Sequence, residues 1–139
     1  MSDPFNLERF VRAQDPVIDD VRSELRAGRK ESHWMWFVFP QLRGLGSSAM
    51  AEKYGISSRE EAQAYLAHPI LGPRLRECTE LVNAVQDKSM ERILGYPDDL
   101  KFRSSMTLFS IVANDNAVFH AALDKYFNGE PDPFTAARL

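Results

Sequence analysis

The sequence lacks the features that mark several special classes of protein. It has one cysteine, Cys78, in 139 residues, so no internal disulfide can staple the fold. No apolar run reaches the roughly 18 residues of a membrane-spanning helix, and Met1–Pro4 has neither the basic nor the apolar segment of a secretory signal. We therefore expect a cytoplasmic protein that has no membrane partner.

The charges also show no large excess of one sign. Lysine and arginine number 17 and acidic residues 20, a formal net charge of −3, so nucleic acid is not expected as the main partner. Hydrophobic residues make up 44% and charged residues 27%, as in ordinary globular proteins. A chain of this length buries about two thirds of its unfolded surface, and we expect residues 1–139 to form one domain.

Helix signals are frequent, whereas strand signals are nearly absent. Ser58 and Glu61 have the spacing of a capping box, and Phe102, Met106 and Phe109 repeat at helical spacing in a segment apolar enough to be central. Helix starts are predicted at Asp3-Pro4, Asp15-Pro16, Ser32, Ser47, Ser58, Gly72-Pro73, Asp98 or Asp99, Asp115 or Asn116, and Asp132-Pro133. The sequence thus predicts an all-α, single-domain, multi-helical array around one hydrophobic core.

One segment would also suit a buried strand. Trp34–Phe39 is rich in aromatic residues, but a lone strand would leave its backbone groups unpaired and no other run offers a partner. We therefore predict a short buried helix that is capped by Ser32 and ends at Pro40. The predicted core residues are Phe37, Phe39, Phe102, Met106, Phe109 and Phe119.

Four stretches of the chain resemble a known bacterial family. They are Arg9–Gln14, His33–Gly46, which contains both tryptophans, Glu61–Pro69, and Lys101–Phe109. On these residues the sequence resembles the uncharacterised bacterial family called domain of unknown function eighteen-ten. Some members carry the label "calpastatin", which we regard as unsupported. The resemblance spans nearly the whole chain and implies an all-helical fold, but it implies no reaction.

Common catalytic and cofactor motifs do not fit this sequence. Gly44, Gly46 and Ala49 match the dinucleotide pattern G-x-G-x-x-A, but no strand precedes them and position 66, where an acid is needed, is Leu66. The glycines more simply form a tight turn before a helix, whose free N–H groups can hold an anion. The sequence has no zinc-ligand spacing and no nucleophile elbow, so no metal or cofactor is expected.

Polar residues that border the apolar tryptophan segment are the best candidates for a site, because a charge beside an apolar run must reach water, pair or bind a ligand. The first hypothesis is a small domain that binds an anionic or nucleotide-like ligand between this segment and the turn at 101–103. The candidate ligand-binding residues are His33, Trp36, Gln41, Arg43, Ser48, Lys101 and Arg103.

Two other functions and one purely structural interpretation stay open. The chain could be an enzyme, with His33 as acid or base and Arg43 stabilising negative charge. It could instead bind another protein through exposed aromatic residues. In the structural interpretation, the aromatic run only fills the core and the nearby cations pair with Glu31, Asp98 and Asp99.

Overall fold

The computed structural model describes residues 3–139, and within this range it contains ten α-helices and no strand. The helices are α1 (Glu8–Gln14), α2 (Ile18–Arg26), α3 (Met35–Val38), α4 (Ala49–Tyr54), α5 (Arg59–Ala67), α6 (Leu71–Asn83), α7 (Met90–Leu94), α8 (Asp98–Val112), α9 (Ala117–Phe127) and α10 (Pro133–Ala137). None of them is long and apolar enough to cross a lipid bilayer. The all-α prediction is confirmed.

Helix α8 is the centre of the array. It packs against α5, α7, α9 and α10, and nine of its 15 residues are buried. Three of its four buried hydroxyls bond to the helix itself: Ser104 donates to the Leu100 carbonyl at 3.2 Å, Thr107 to that of Arg103 at 2.8 Å and Ser110 to that of Thr107 at 2.9 Å. The fourth, on Ser105, has no hydrogen-bond partner among the described residues. All six residues predicted for the core are buried, and they are Phe37, Phe39, Phe102, Met106, Phe109 and Phe119.

Side chains cap several helix starts as the sequence predicts. The Ser58 hydroxyl accepts from the Glu61 backbone N–H at 3.1 Å, and the Asp132 carboxylate accepts from that of Thr135 at 2.9 Å. At α4 the capping residue is Ser48 rather than the predicted Ser47. In each case a short polar side chain satisfies an N–H group that lacks a partner inside the helix.

Three further predicted helix starts are wrong. Helix α1 begins at Glu8 rather than at Asp3-Pro4, and the side chains of Asp15 and Ser32 have tertiary partners instead of capping a helix. The Asp15 carboxylate lies 2.9 Å from Arg74 of α6. The Ser32 hydroxyl donates to Glu24 of α2 at 2.6 Å. An ionised partner forms a stronger hydrogen bond than a neutral backbone N–H. Asp15 therefore connects the end of α1 to α6, and Ser32 connects the loop before α3 to α2.

Arg9 fixes α1 to the segment between α4 and α5. Its guanidinium donates five hydrogen bonds, among them one of 2.8 Å to the Lys53 carbonyl, one of 3.2 Å to the Gly55 carbonyl and one of 2.8 Å to the Glu61 carboxylate. The Glu61 side chain is only 2% exposed. Because this ion pair is buried and fully hydrogen-bonded, it determines how the N-terminal helix sits on the rest of the array.

Gly72 permits the sharp corner between α5 and α6. A Cβ atom at this position would lie 2.1 Å from the Leu66 carbonyl oxygen, far inside contact distance. Any side chain here would therefore push the two helices apart, so the corner requires glycine.

Cys78 lies on α6 with no exposed surface. Burial raises the pKa of its thiol to about 12. Since the thiolate is the reactive form, this cysteine is an inert core residue.

We expect Phe109→Ala to lower the free energy of unfolding by about 3–5 kcal/mol, because it opens a cavity in the packed core. The Phe109 ring lies 5.5 Å from the Tyr65 ring and 5.9 Å from the Phe119 ring. Urea denaturation would measure the loss. Ile111→Ala on the same helix is the control, since Ile111 is 39% exposed. A loss below about 1 kcal/mol for Phe109→Ala would contradict the central place of this ring.

Candidate functional site

The tryptophan segment forms a single helical turn whose aromatic side chains are mostly enclosed. Within this segment, Trp34 and Phe39 are each 1% exposed. The Phe39 ring meets Phe102 of α8 edge-on, with 5.0 Å between ring centroids. The helix is shorter than predicted and ends at Val38, because the residue before Pro40 is disfavoured in helical geometry.

Glu24 of α2 holds the start of this segment. Its carboxylate accepts from the Trp34 indole N–H at 2.9 Å, from the Glu31 N–H at 2.7 Å, and from both the N–H and the hydroxyl of Ser32. Burial opposes ionisation of this carboxyl, but these hydrogen bonds outweigh it and hold the Glu24 pKa below its usual value of 4.5. Trp34 is therefore a structural residue and is no part of a ligand platform.

A cluster of five residues joins the segment to the start of α8. Asp98 lies 2.9 Å from the Lys30 ammonium and 3.4 Å from the Lys101 ammonium. Lys30 lies 5.1 Å from the centroid of the Trp34 ring, and Lys101 lies 4.8 Å from that of Trp36. We call Lys30, Trp34, Trp36, Asp98 and Lys101 the lysine–tryptophan cluster. It contains two ammonium groups and one carboxylate, so one positive charge is not neutralised within it.

The cluster borders a small cavity and an open cleft. The cavity is about 10 Å³ and lies among Trp36, Gln41, Tyr54 and Lys101; this is at the lower limit of the space that one water molecule needs. The cleft is about 330 Å³ and lies between the start of α8, the turn at 41–46 and α10, so we call it the α8–α10 cleft. Gln41 and Lys101 line both spaces.

The α8–α10 cleft combines apolar walls with cationic groups. Leu100 and Phe134 line it and are 48% and 64% exposed. Lys101 and Arg103 are the cations at its edge, and Asp132 is the acidic residue. Apolar surface exposed beside a few convergent polar groups is typical of a binding site for a small molecule.

Arg103 is largely engaged in structural contacts. It donates to the carbonyls of Glu130 and Pro131 at 3.0 and 3.1 Å, and it lies 5.8 Å from the centroid of the Phe127 ring. These contacts hold the segment that leads into α10. Arg103 thus shapes the cleft, while Lys101 is the more available cation.

The other candidate residues lie outside the lining of this cleft. Arg43 lines a different cleft, and its guanidinium donates to the Gly55 carbonyl at 3.4 Å. Ser48 is exposed and caps α4 through the Ala51 N–H at 3.1 Å. His33 is exposed, just before the buried Trp34. The structure therefore brings Gln41, Lys101 and Arg103 to one cleft, with Trp36 beside Lys101, and it places Arg43 in the lining of another. His33 and Ser48 line neither of these two clefts.

Sequence reasoning missed the apolar walls of the cleft. Phe134 follows a correctly predicted cap and Leu100 lies in a helix correctly predicted to be central, and periodicity alone assigns such residues to a core. The sequence signal that could have indicated their exposure is their position in the first turn of each helix, where fewer neighbouring turns can cover a side chain.

The comparisons agree with the sequence resemblance. The family model of a protein of unknown function, DUF1810, matches residues 4–139. This chain belongs to that family. The structure is also similar to a crystal structure of the conserved hypothetical protein Rv1873 from Mycobacterium tuberculosis. The two chains are 64% identical in sequence and superpose with a TM-score of 0.98, over 99% of this chain and 98% of that chain. No functionally curated protein matches significantly, so no specific function is established for this DUF1810 chain by its relatives.

Asp98→Asn should destabilise the protein by about 1–3 kcal/mol, because it leaves a largely buried ammonium without its counter-charge. The Lys30 side chain is only 8% exposed. Asp99→Asn is the matched control, because it removes the same charge from the same helix turn. Among residues 3–139 the Asp99 carboxylate accepts a hydrogen bond only from the Leu100 N–H. Chemical denaturation would measure both variants. Equal losses would show that the cluster contributes nothing beyond the charge at the helix start.

Glu24→Gln should make stability less sensitive to acid. The pKa of Glu24 is lowered in the folded state, so its ionised carboxylate stabilises the fold above its usual value of 4.5, and this contribution is lost as the pH falls through the folded pKa. Thermal melts of both proteins should therefore differ most near neutral pH and converge on acidification. A constant difference from about pH 7 to about pH 3 would contradict this role.

Proposed function

We propose that this protein binds a small ligand that carries a flat ring and an anionic group, such as a nucleotide, in the α8–α10 cleft. The observation that supports this is the exposure of two large apolar side chains, Leu100 and Phe134, in a cleft edged by Lys101. The cleft volume of about 330 Å³ lies within the range of roughly 300–1,000 Å³ common for such ligands.

Lys101 is the proposed contact for the anionic group. Its neighbour Asp98 lies closer to Lys30, at 2.9 Å, than to Lys101, at 3.4 Å. The single carboxylate therefore leaves Lys101 with positive charge available to a ligand. Gln41, which lines the cleft beside Lys101, offers an amide that can donate and accept hydrogen bonds.

The flat part of the ligand would pack against Phe134 and Leu100. Aromatic rings contact one another favourably in stacked or edge-on geometry, and covering these two side chains would remove apolar surface from water. Trp36 would not contact the ring directly, but it lies under the Lys101 ammonium and should report changes there.

A protein partner is the second candidate occupant of this face. Tyr96 is 73% exposed and is adjacent in sequence to Pro97, which lines the cleft. Together with Leu100 and Phe134 it adds to the exposed apolar surface of this region, and apolar patches of this kind are frequent at protein interfaces. A protein partner would not require a ring and an anion in one molecule, so the two candidates predict different ligand preferences.

The cytoplasm is the compartment that we propose for this binding. Cys78 is the only cysteine and is buried, so the protein gains no disulfide from an oxidising compartment. The formal net charge of −3 likewise supports a small ligand rather than nucleic acid as the main partner.

Lys101→Met should weaken nucleotide binding roughly tenfold or more, since it removes a charge-assisted contact. A thermal-shift titration with nucleoside diphosphates, nucleosides and inorganic phosphate would measure this. A ligand at 100 times its dissociation constant should stabilise the wild type by about 2.7 kcal/mol. Tryptophan fluorescence should change on binding in the wild type and not in Trp36→Phe.

Lys125→Met is the matched control, because Lys125 also lies over an aromatic ring, 5.3 Å from the centroid of Tyr126, and does not line the cleft. Phe134→Ala should weaken nucleotide binding, whereas the thermal shift that inorganic phosphate alone produces should stay the same as in the wild type. If no nucleotide stabilises the wild type, or if Lys101→Met binds as tightly as Lys125→Met, the proposal is wrong.

A further inference from the structure

A second cleft, distinct from the first, is lined by three arginines. Its volume is about 450 Å³. Arg43 comes from the turn after the tryptophan segment, Arg59 from the start of α5, and Arg138 from the residue after α10. We call this space the arginine cleft. Three separate parts of the chain thus bring guanidinium groups to one place.

The hydrogen-bonding capacity of these arginines is mostly unused by the protein. A guanidinium has five N–H donors, and among residues 3–139 each of these three guanidinium groups has one hydrogen-bond partner. Arg43 donates to the Gly55 carbonyl and Arg59 to the Leu139 carbonyl, both at 3.4 Å, and Arg138 donates to the Phe134 carbonyl at 2.8 Å. The two longer bonds are at the limit of hydrogen-bond geometry.

Arg9 shows how a structural arginine differs. It donates five hydrogen bonds and forms an ion pair with the buried Glu61. The arginines of the cleft, in contrast, form no ion pair with an Asp or Glu side chain in the part of the chain that the structure describes. The arginines that do form one are Arg9, Arg12, Arg22, Arg29, Arg74 and Arg103.

The charge in the arginine cleft is therefore unbalanced. Against three guanidinium groups, Glu60 is the one acidic side chain among the lining residues. Counted over the lining side chains alone, this leaves two formal positive charges. The main-chain oxygen of Leu139, which accepts from Arg59, also lies in the lining. The Ser58 hydroxyl also lines the cleft; it accepts from Glu61 and keeps its own proton available for donation.

We infer that the arginine cleft binds a phosphate group, either of a phosphate monoester or of a diphosphate. Guanidinium groups match phosphate oxygens in paired geometry. Cations from three chain segments suit the tetrahedral phosphate, which presents three terminal oxygens, better than a planar carboxylate with two. This site does not depend on the function proposed for the α8–α10 cleft.

The competing interpretation is that these arginines only hold the last described residues in place. Arg59 and Arg138 do contact the segment from Phe134 to Leu139. The Arg43 guanidinium donates no hydrogen bond to that segment, and its one side-chain hydrogen bond among the described residues goes to the Gly55 carbonyl. Arg43 is therefore the residue that separates ligand binding from structural anchoring.

Calorimetric titration with pyrophosphate at low ionic strength tests the inference. Arg43→Gln and Arg59→Gln should each weaken binding roughly tenfold, the usual effect of losing one hydrogen bond between charged groups. Arg92→Gln is the matched control, because Arg92 is exposed on α7 and lines neither cleft. The comparison of Arg43→Gln with Arg92→Gln should give the same loss in a Lys101→Met background, where the cation proposed for the α8–α10 cleft is absent, and this separates the two sites.

A malonate titration distinguishes phosphate from carboxylate recognition and should give weaker binding than pyrophosphate. Arg43→Gln should also melt at the wild-type temperature, because an exposed arginine with one long hydrogen bond adds little stability. The inference is overturned if pyrophosphate does not bind the wild type, if Arg43→Gln and Arg59→Gln bind it as tightly as Arg92→Gln, or if malonate binds equally well.

Discussion

Helix α8 is buried on most of its surface, and this burial controls how the other helices and the charged residues are arranged. A helix enclosed in this way has no water to satisfy its polar side chains, so most of them bond to the helix itself or lie near its ends. The Ser105 hydroxyl is the exception, with no partner among the described residues. Thr107 and Ser110 bond to carbonyls of the preceding turn. Asp98, Lys101 and Arg103 all lie in the first two turns, where they can reach solvent or partners.

The position of the candidate site follows from this arrangement. The aromatic segment is apolar and is buried against α8, where the Phe39 ring contacts the Phe102 ring near the start of that helix. This packing places Lys30, which precedes the segment, beside the charged residues at the start of α8. Asp98 forms ion pairs with both Lys30 and Lys101. The same helix also positions α10, since the Thr107 hydroxyl accepts from the Asp132 N–H at 2.8 Å. The α8–α10 cleft is the space that these elements leave between them.

The two clefts differ in what they can recognise. The α8–α10 cleft has apolar walls and one available ammonium, which suits a ring that carries an anionic group. The arginine cleft has three guanidinium groups and little apolar surface, which suits phosphate alone. Both are lined in part by the turn at 41–46 and by the segment from Asp132 to Leu139. The family motif and the end of the chain thus contribute to both.

Local signals predicted the fold well where the physical cause is itself local. The Ser58 and Asp132 caps act within one helical turn, and the apolar spacing of Phe102, Met106 and Phe109 requires only helical geometry and a core. The predictions for Asp15 and Ser32 failed because their partners lie on other helices. The short helix α7, which Ser89 caps, was not predicted, since five residues show little periodicity.

For the candidate site, the sequence pattern identified the candidate residues, because charges beside a long aromatic run must pair, reach water or bind. How these residues are grouped became known from the packing of the helices. Lys101 lies with Trp36 and Gln41, whereas Arg43 lies with Arg59 and Arg138. The direction of a side chain at a turn depends on how helices distant in the sequence pack against it, and a local sequence pattern does not contain that information.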